Sequence, residues 1–231
     1  MIHRLLVANR AEIASRVFRT CRALGIETVA VHSDADAALP YVAEADAAVR
    51  LPGNAPGETY LRADLVLEAA RTAGADAIHP GYGFLSENAE LADICAQRGI
   101  TFIGPSAEVI RRMGDKTEAR RAMKEAGVPV TPGTEDNLAD VDEAVEVAAQ
   151  IGYPIMLKAT SGGGGRVIRR CDSEEDLRRQ FGRVVSEATK AFGRADVFME
   201  KCIVNPRHIE AQILADSHGN VIHLYERDCS I

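Results

Sequence analysis

The chain has 231 residues, 46% of them hydrophobic and 26% charged, which at roughly 150 residues per domain makes one large domain, or one and a substantial part of a second, and argues against wholesale disorder. Lys and Arg number 27 against 34 Asp and Glu, a net charge of −7, which argues against the dense cationic surface that nucleic acid or an anionic membrane requires. No apolar run reaches the length of a membrane span, and Met1-Ile2-His3-Arg4 opens without the apolar segment of a signal peptide, so the expected setting is cytoplasmic.

Leu5-Leu6-Val7-Ala8 is a short apolar run of buried-strand length, and Ile13, Val17, Cys21 and Leu24 then recur at helical spacing up to Gly25. Residues 28–31 form a second β-rich run, so strand, helix and strand follow as a βαβ unit and predict a parallel sheet. The alternation continues with a strand at 47–49, a helix over 59–71, a strand at 77–78, a helix over 87–97 and a strand at 101–103. This is the order of a doubly wound α/β domain.

The texture then changes. Asp115 is the expected N-cap of a further helix, with Glu118 at capping-box spacing. Val128-Pro129-Val130-Thr131-Pro132-Gly133 cannot sit inside a helix, because proline lacks the N–H and clashes with the preceding turn; a domain boundary is placed there. A helix is expected over 140–150, with Asp140 and Glu143 as a second cap, and a strand over 154–158. After a glycine loop come a strand at 167–168, a helix over 173–190 with the stripe Leu177, Phe181, Val184 and Ala188, and strands at 197–200, 209–214 and 221–225. Residues 216–220 (Asp-Ser-His-Gly-Asn) are hairpin-turn chemistry between the last two. A sheet with helices on one side suits this second region.

The five cysteines are odd in number, widely spaced and without a C-x-x-C pair, which reads as structural thiols in a reducing compartment. The six histidines form no H-x-x-x-H or H-x-H pair, so no metal site is built from histidine alone.

The most informative stretch is Lys158-Ala159-Thr160-Ser161 followed by Gly162, Gly163, Gly164, Gly165 and Arg166. Four glycines between two strands let backbone N–H groups approach an anion closely, and phosphate is the usual one. The lysine stands before the glycines, which excludes a Walker A loop, and no G-x-G-x-x-G opens a helix. Taken alone, the glycines divide evenly between a flexible hairpin and a phosphate cradle; Lys158 tips them toward nucleotide. Lys116 falls in the first turn of a helix, where a bound anion would be favoured, although on that position alone an ordinary surface lysine is the better reading. Glu200 beside the backbone of residues 201–203 offers alternating acceptors and donors for an adenine edge, and an exposed connector explains the same residues equally well. In His79-Pro80-Gly81-Tyr82-Gly83-Phe84-Leu85-Ser86-Glu87-Asn88 two aromatics are presented on a tight loop at a strand end, where open α/β sheets bind ligands; a structural turn with both rings packed on the sheet is the alternative.

Together these stretches resemble one family closely, the biotin carboxylase component of biotin-dependent carboxylases, an ATP-grasp enzyme. The similarity runs from Leu6-Val7-Ala8-Asn9-Arg10-Ala11-Glu12-Ile13-Ala14 through residues 79–88, 102–106, 113–116 and 158–166 to Glu200-Lys201, residues 205–210 and the end at Cys229-Ser230-Ile231. Residues 157–170 and 200–215 look most like the ATP-binding subunit of bacterial two-subunit pyruvate carboxylase. The resemblance implies a pre-ATP-grasp domain at 1–113, linker helices with an α+β ATP-grasp flap domain at 114–202, and the start of a truncated final ATP-grasp domain at 203–231. It implies that Lys116 and Lys158 hold ATP phosphates, that Gly162, Gly163, Gly164 and Gly165 form a flap over them, that Glu200, Lys201 and Ile203 line the adenine pocket, and that His208 approaches the ribose. Tyr82, Phe84 and Glu87 fall on the biotin side.

The implied reaction is ATP-dependent activation of bicarbonate to carboxyphosphate and carboxylation of biotin on a carrier protein, with Mg2+, a homodimer in the complete enzyme and, as a further partner, a carboxyltransferase subunit. Catalytic residues and magnesium ligands are expected beyond residue 231, so this chain alone is expected to be inactive; the alternative is a non-catalytic nucleotide-binding or interaction module. Two positions depart from the family pattern: Ala11 and Val167 stand where it has glycine. A β-branched residue at 167 resists positive φ and stiffens the end of the loop.

Overall fold

Leu5 and Val7 turn one way in the first strand, while Leu6 and Ala8 turn the other, and each pair joins a different apolar core. Burial on both faces is what a parallel strand between two helix layers requires. The computed structural model describes residues 1–160, 167–193 and 196–230. They fall into two compact units, Met1–Ala119 and Arg120–Ile231.

In the first unit, β1 (Arg4–Val7), β2 (Glu27–His32), β3 (Ala47–Arg50), β4 (Ala77–His79) and β5 (Thr101–Phe102) form one parallel sheet in the order β3-β2-β1-β4-β5. The helices α1 (Ala11–Ala23) and α2 (Pro40–Glu44) cover one face through Ala14, Phe18, Cys21 and Tyr41. On the other face lie α3 (Ala63–Ala73) and α4 (Ala89–Gln97), through Val66, Leu67, Ala70, Leu91 and Cys95. The doubly wound reading is thereby met.

Several boundaries differ from the sequence expectation. The buried stripe of α1 is Ala14, Phe18 and Cys21, with Ile13 and Val17 at its margin and Leu24, at the C-cap, 68% exposed. Spacing alone does not say which of two adjacent stripes faces the sheet, and the more apolar one is not the one buried. The helix expected from residue 59 begins at Ala63, because Thr59 and its neighbours close a turn in which Thr59 Oγ1 donates to the Ala55 carbonyl. The helix expected from Glu87 begins at Ala89, where Asn88 accepts the Leu91 N–H as N-cap. Two short helices were not anticipated: α2, and α5 (Ala107–Gly114), which is capped by Ser106 and buries only Ala107 and Ile110. With so few buried positions neither shows a repeat for periodicity to detect.

The next helix, α6 (Lys116–Glu125), opens as expected on Asp115, whose Oδ1 accepts the N–H groups of Thr117 (2.9 Å) and Glu118 (3.1 Å). In the second unit, β6 (Ile155–Ala159) pairs antiparallel with both β7 (Ile168–Cys171) and β8 (Val197–Lys201). The helices α7 (Val141–Ile151) and α8 (Glu174–Phe192) lie on one face of that sheet, and all four residues of the stripe Leu177, Phe181, Val184 and Ala188 are buried. Asp140 caps α7 by accepting the N–H groups of Asp142 and Glu143, each at 2.9 Å, while Glu143 reaches back to the Ala139 N–H at 2.7 Å. The proline-rich connector runs along the open edge of β8: Lys201 N–H donates to the Pro132 carbonyl (2.7 Å) and Thr134 N–H to that of Met199 (2.9 Å). Only glycine fits at 133, since a Cβ there would stand 2.6 Å from the Met199 carbonyl oxygen. Last come β9 (Ile209–Ala215) and β10 (Val221–Asp228), the antiparallel hairpin that the turn residues predict.

Candidate functional site

The strand pleat of the second unit decides which side chains face away from its helices. Ile155, Leu157 and Ala159 of β6 enter the core, and Met156 and Lys158 take the opposite face. Register sets Met156 against Glu200 and Lys158 against Phe198, so Glu200 is the diagonal neighbour of Lys158 on that face. Lys158 Nζ donates to Glu200 Oε1, and Arg120 Nη1 stands 3.5 Å from Oε2 of the same carboxylate. The three side chains are only 22%, 18% and 20% exposed, so their mutual attraction is poorly screened by water. Arg120 is fixed from behind, donating through Nη2 to the Thr131 carbonyl at 2.5 Å. Two cations sharing one carboxylate leave room for a further anion. Arg120 escapes sequence reasoning, because its spacing marks it only as one of several basic residues on α6.

Lys201 donates instead to the carbonyls of Gly152 (3.0 Å) and Tyr153 (2.9 Å). Ile203 lies past the end of β8, 58% exposed. His208 is exposed just before β9, its N–H donating to Ser230 Oγ at 2.9 Å. Lys116 is the first residue of α6. The expected flap glycines, residues 162–165, lie outside the described residues. The structure thus brings Lys158 and Glu200 into one cluster and leaves Ile203 and His208 exposed.

In the first unit β1 and β4 are neighbours, yet α1 and α4 lie on opposite faces. Chains that leave adjacent strand ends in opposite directions open a crevice, the usual ligand position in such sheets. A cavity of about 360 Å³ sits there, lined by residues 9–12 and 82–84. Buried Asn9 ties the two loops together, its Nδ2 donating to the carbonyls of Pro80 (2.9 Å) and Tyr82 (2.7 Å). Gly81 has φ +66° and would set a Cβ 2.7 Å from that Nδ2, so no other residue fits the approach. Tyr82 donates its hydroxyl to the Glu12 carboxylate, which raises the phenol above its ordinary pKa. Phe84, at φ +40°, stacks on Tyr60 with centroids 5.0 Å apart and planes 13° from parallel. Tyr60 in turn donates to Asp36 Oδ2 (2.5 Å), whose Oδ1 accepts from Arg10 Nη2 (2.9 Å). Burial pushes the Tyr60 and Tyr41 hydroxyls up, keeping them protonated donors. The two aromatics of the loop differ in placement: Tyr82 faces the cavity mouth, 63% exposed, and Phe84 packs on the sheet side. Glu87 is exposed in the turn before α4 and does not line the cavity.

His79 anchors the same loop, its Nδ1 accepting the Gly81 N–H at 2.9 Å. An acceptor nitrogen carries no proton, and burial holds the His79 pKa below its ordinary value of 6.5. The folded chain therefore binds this proton less readily than the unfolded chain. Stability contributed by neutral His79 is full above pH 6.5 and is lost as pH falls from there through the folded value. Urea unfolding across that range should show a steeper fall for the wild type than for His79→Asn, which keeps an acceptor and cannot titrate; equal slopes would contradict this.

Both departures from the glycine pattern carry backbone strain. Ala11 has φ +53° and Val167 φ +56°, in the left-handed region that favours glycine. For Ala11, with little packing to lose, Ala11→Gly should stabilise the first unit by about 1 kcal/mol, or roughly 4 °C in Tm. Val167 is half-buried against the second core, so for Val167→Gly a strain relief of about 1–2 kcal/mol is offset by lost apolar burial of about 1 kcal/mol and by glycine's entropy. Its melting should barely move. Any gain in ATP affinity by calorimetry would then report the loop end rather than global stability.

Residues 1–110 match the family described as biotin carboxylase, N-terminal domain, and residues 115–231 the family described as carbamoyl-phosphate synthase L chain, ATP binding domain. The chain is 53% identical over its whole length to the 2-oxoglutarate carboxylase small subunit of Hydrogenobacter thermophilus, covering 49% of that protein, and 53% identical to the biotin carboxylase of Halalkalibacterium halodurans, covering 51%. A crystal structure of a biotin carboxylase–β,γ-ATP complex from Campylobacter jejuni superposes with a TM-score of 0.96 at 48% identity, over 99% of this chain and 51% of that one. The chain spans about half the length of the curated relatives it matches.

Proposed function

The chain belongs to the biotin carboxylase family, and on that premise we propose that it supplies the nucleotide-phosphate and biotin-facing residues of an ATP-dependent ligase that activates bicarbonate to carboxyphosphate and carboxylates biotin on a carrier protein. The observation that carries this reading is Lys158 on the face of β6 opposite α7 and α8, four residues before the first glycine of the loop, sharing Glu200 with Arg120. Phosphoryl transfer needs positioned cations to stabilise charge that develops on the transferred group. Lys158, and Lys116 at the start of α6, fill that role; residues 162–165 give backbone N–H groups to the phosphates. Glu200, Lys201 and Ile203 serve the adenine end and His208 the ribose, while Tyr82, Phe84 and Glu87 serve biotin.

Magnesium chemistry neutralises the phosphates when the ion is bound. Among the described residues no group of three or more His, Cys, Asp and Glu could hold a metal ion. The division into a domain at 1–113, a flap region at 114–202 and the start of a third at 203–231 follows from the same resemblance. So do the partners: a carrier protein, a second copy of the enzyme and a carboxyltransferase subunit. A cytoplasmic setting belongs to the same reading; no helix among the described residues is long and apolar enough to cross a membrane.

Calorimetric titration of the chain with ATP tests the reading. A charged hydrogen bond is worth about 1.5–3 kcal/mol, so Lys158→Ala should weaken ATP by about 10- to 100-fold. Equal affinity in the wild type and the variant would remove Lys158 from the phosphate site.

A further inference from the structure

Tyr82 is gripped at both ends by the turn between β1 and α1. Asn9 takes its carbonyl at 2.7 Å, and Glu12 in the first turn of α1 accepts its hydroxyl. The ring itself is 63% exposed, with little packing to hold it. Without the hydroxyl contact an exposed tyrosine samples several rotamers, and a ligand that needs one of them must immobilise it on binding. Glu12 and Tyr82 both line the cavity at the strand ends, so their hydrogen bond closes one wall of it. No competing partner draws Glu12 away, since no other hydrogen bond or ion pair to its carboxylate is seen among the described residues.

We propose that Glu12 is a positioning residue for the biotin side of the site: by accepting the Tyr82 hydroxyl it sets the aromatic ring as a fixed wall for biotin's fused ring system. This rests on the biotin reading of Tyr82 given above. The carboxylate touches no reacting atom; its work is to remove the rotamer freedom that biotin would otherwise have to quench. Two consequences separate this from a general structural role. The loop's backbone anchors at Asn9 and His79 do not involve Glu12, so its loss should leave melting and ATP affinity in place. The phenol, held above its ordinary pKa chiefly by the Glu12 hydrogen bond, should also ionise at lower pH once that bond is gone.

The test is a titration of the chain with free biotin, followed through the ring resonance of labelled Tyr82 and assigned by its disappearance in Tyr82→Phe. Glu12→Ala should weaken biotin about 5-fold, within the range expected for immobilising one side chain. Glu12→Gln, whose Oε1 still accepts, should bind nearly as the wild type. Tyr82→Phe, read through backbone amides, should match Glu12→Ala, and the double variant should be no worse than either, since both delete one bond. Undiminished biotin affinity in Glu12→Ala, or additive losses in the double variant, would overturn the proposal while leaving the biotin reading intact. A wild-type chain whose Tyr82 does not respond to biotin would overturn the biotin reading and this proposal with it.

Discussion

Replacing Glu200 by alanine should cost the second unit about 3 kcal/mol, near the lower end of what is seen when one partner of a buried ion pair is removed. The cost arises less from the lost attraction than from what remains. Lys158 and Arg120, each about four-fifths buried, would face one another with no carboxylate between them. Arg120 keeps its bond to the Thr131 carbonyl, but Lys158 has no other acceptor among the described contacts. For a unit of this size the loss is a fall of about 12 °C in Tm, readable by circular dichroism. Lys158→Ala should cost less, because it leaves Glu200 paired with Arg120. The order of the two variants is therefore diagnostic: if Lys158→Ala were the more damaging, the carboxylate would not be the hub of the cluster. An added anion such as ATP should narrow the gap for Glu200→Ala by supplying the missing negative charge.

The alternation of strands and helices was legible because each long element repeats its apolar residues with its own period. The stripe of α8 and the caps at Asp140 and Asp115 were read directly from residue type and spacing. Helix α5 was not, since two buried residues make no period. The site was legible only in pieces. Lys158 and Glu200 were each singled out, but their pairing depends on the register between β6 and β8, which is set by long-range pairing rather than local pattern. Tyr82 was visible on its loop, whereas Glu12 became its partner only because β1 and β4 lie side by side. The strain at Ala11 and Val167 falls at the two positions where the resemblance implies glycine, and the φ values give that expectation its physical meaning.

Asp36→Ala should be the most damaging single change in the first unit outside its apolar cores. Asp36 is 6% exposed and accepts at once from Arg10 (2.9 Å), Tyr60 (2.5 Å) and Ser33 (3.1 Å). Truncation leaves a guanidinium and two hydroxyls without their acceptor. The Arg10 side chain is 42% exposed and recovers part of its hydration, so the expected cost is about 3 kcal/mol rather than the upper end of the range, with Tm lowered by about 12 °C. Asp36→Asn keeps an acceptor oxygen for Tyr60 and removes the charge opposite Arg10; it should cost roughly half as much. The damage should reach the cavity. Tyr60 is the platform on which Phe84 stacks, and Phe84 holds a positive φ that only surrounding contacts sustain. Hydrogen exchange of residues 82–86 should therefore speed up in Asp36→Ala at temperatures well below its melting. Exchange that rises only in step with global unfolding would mean that the network supports the fold without holding the loop.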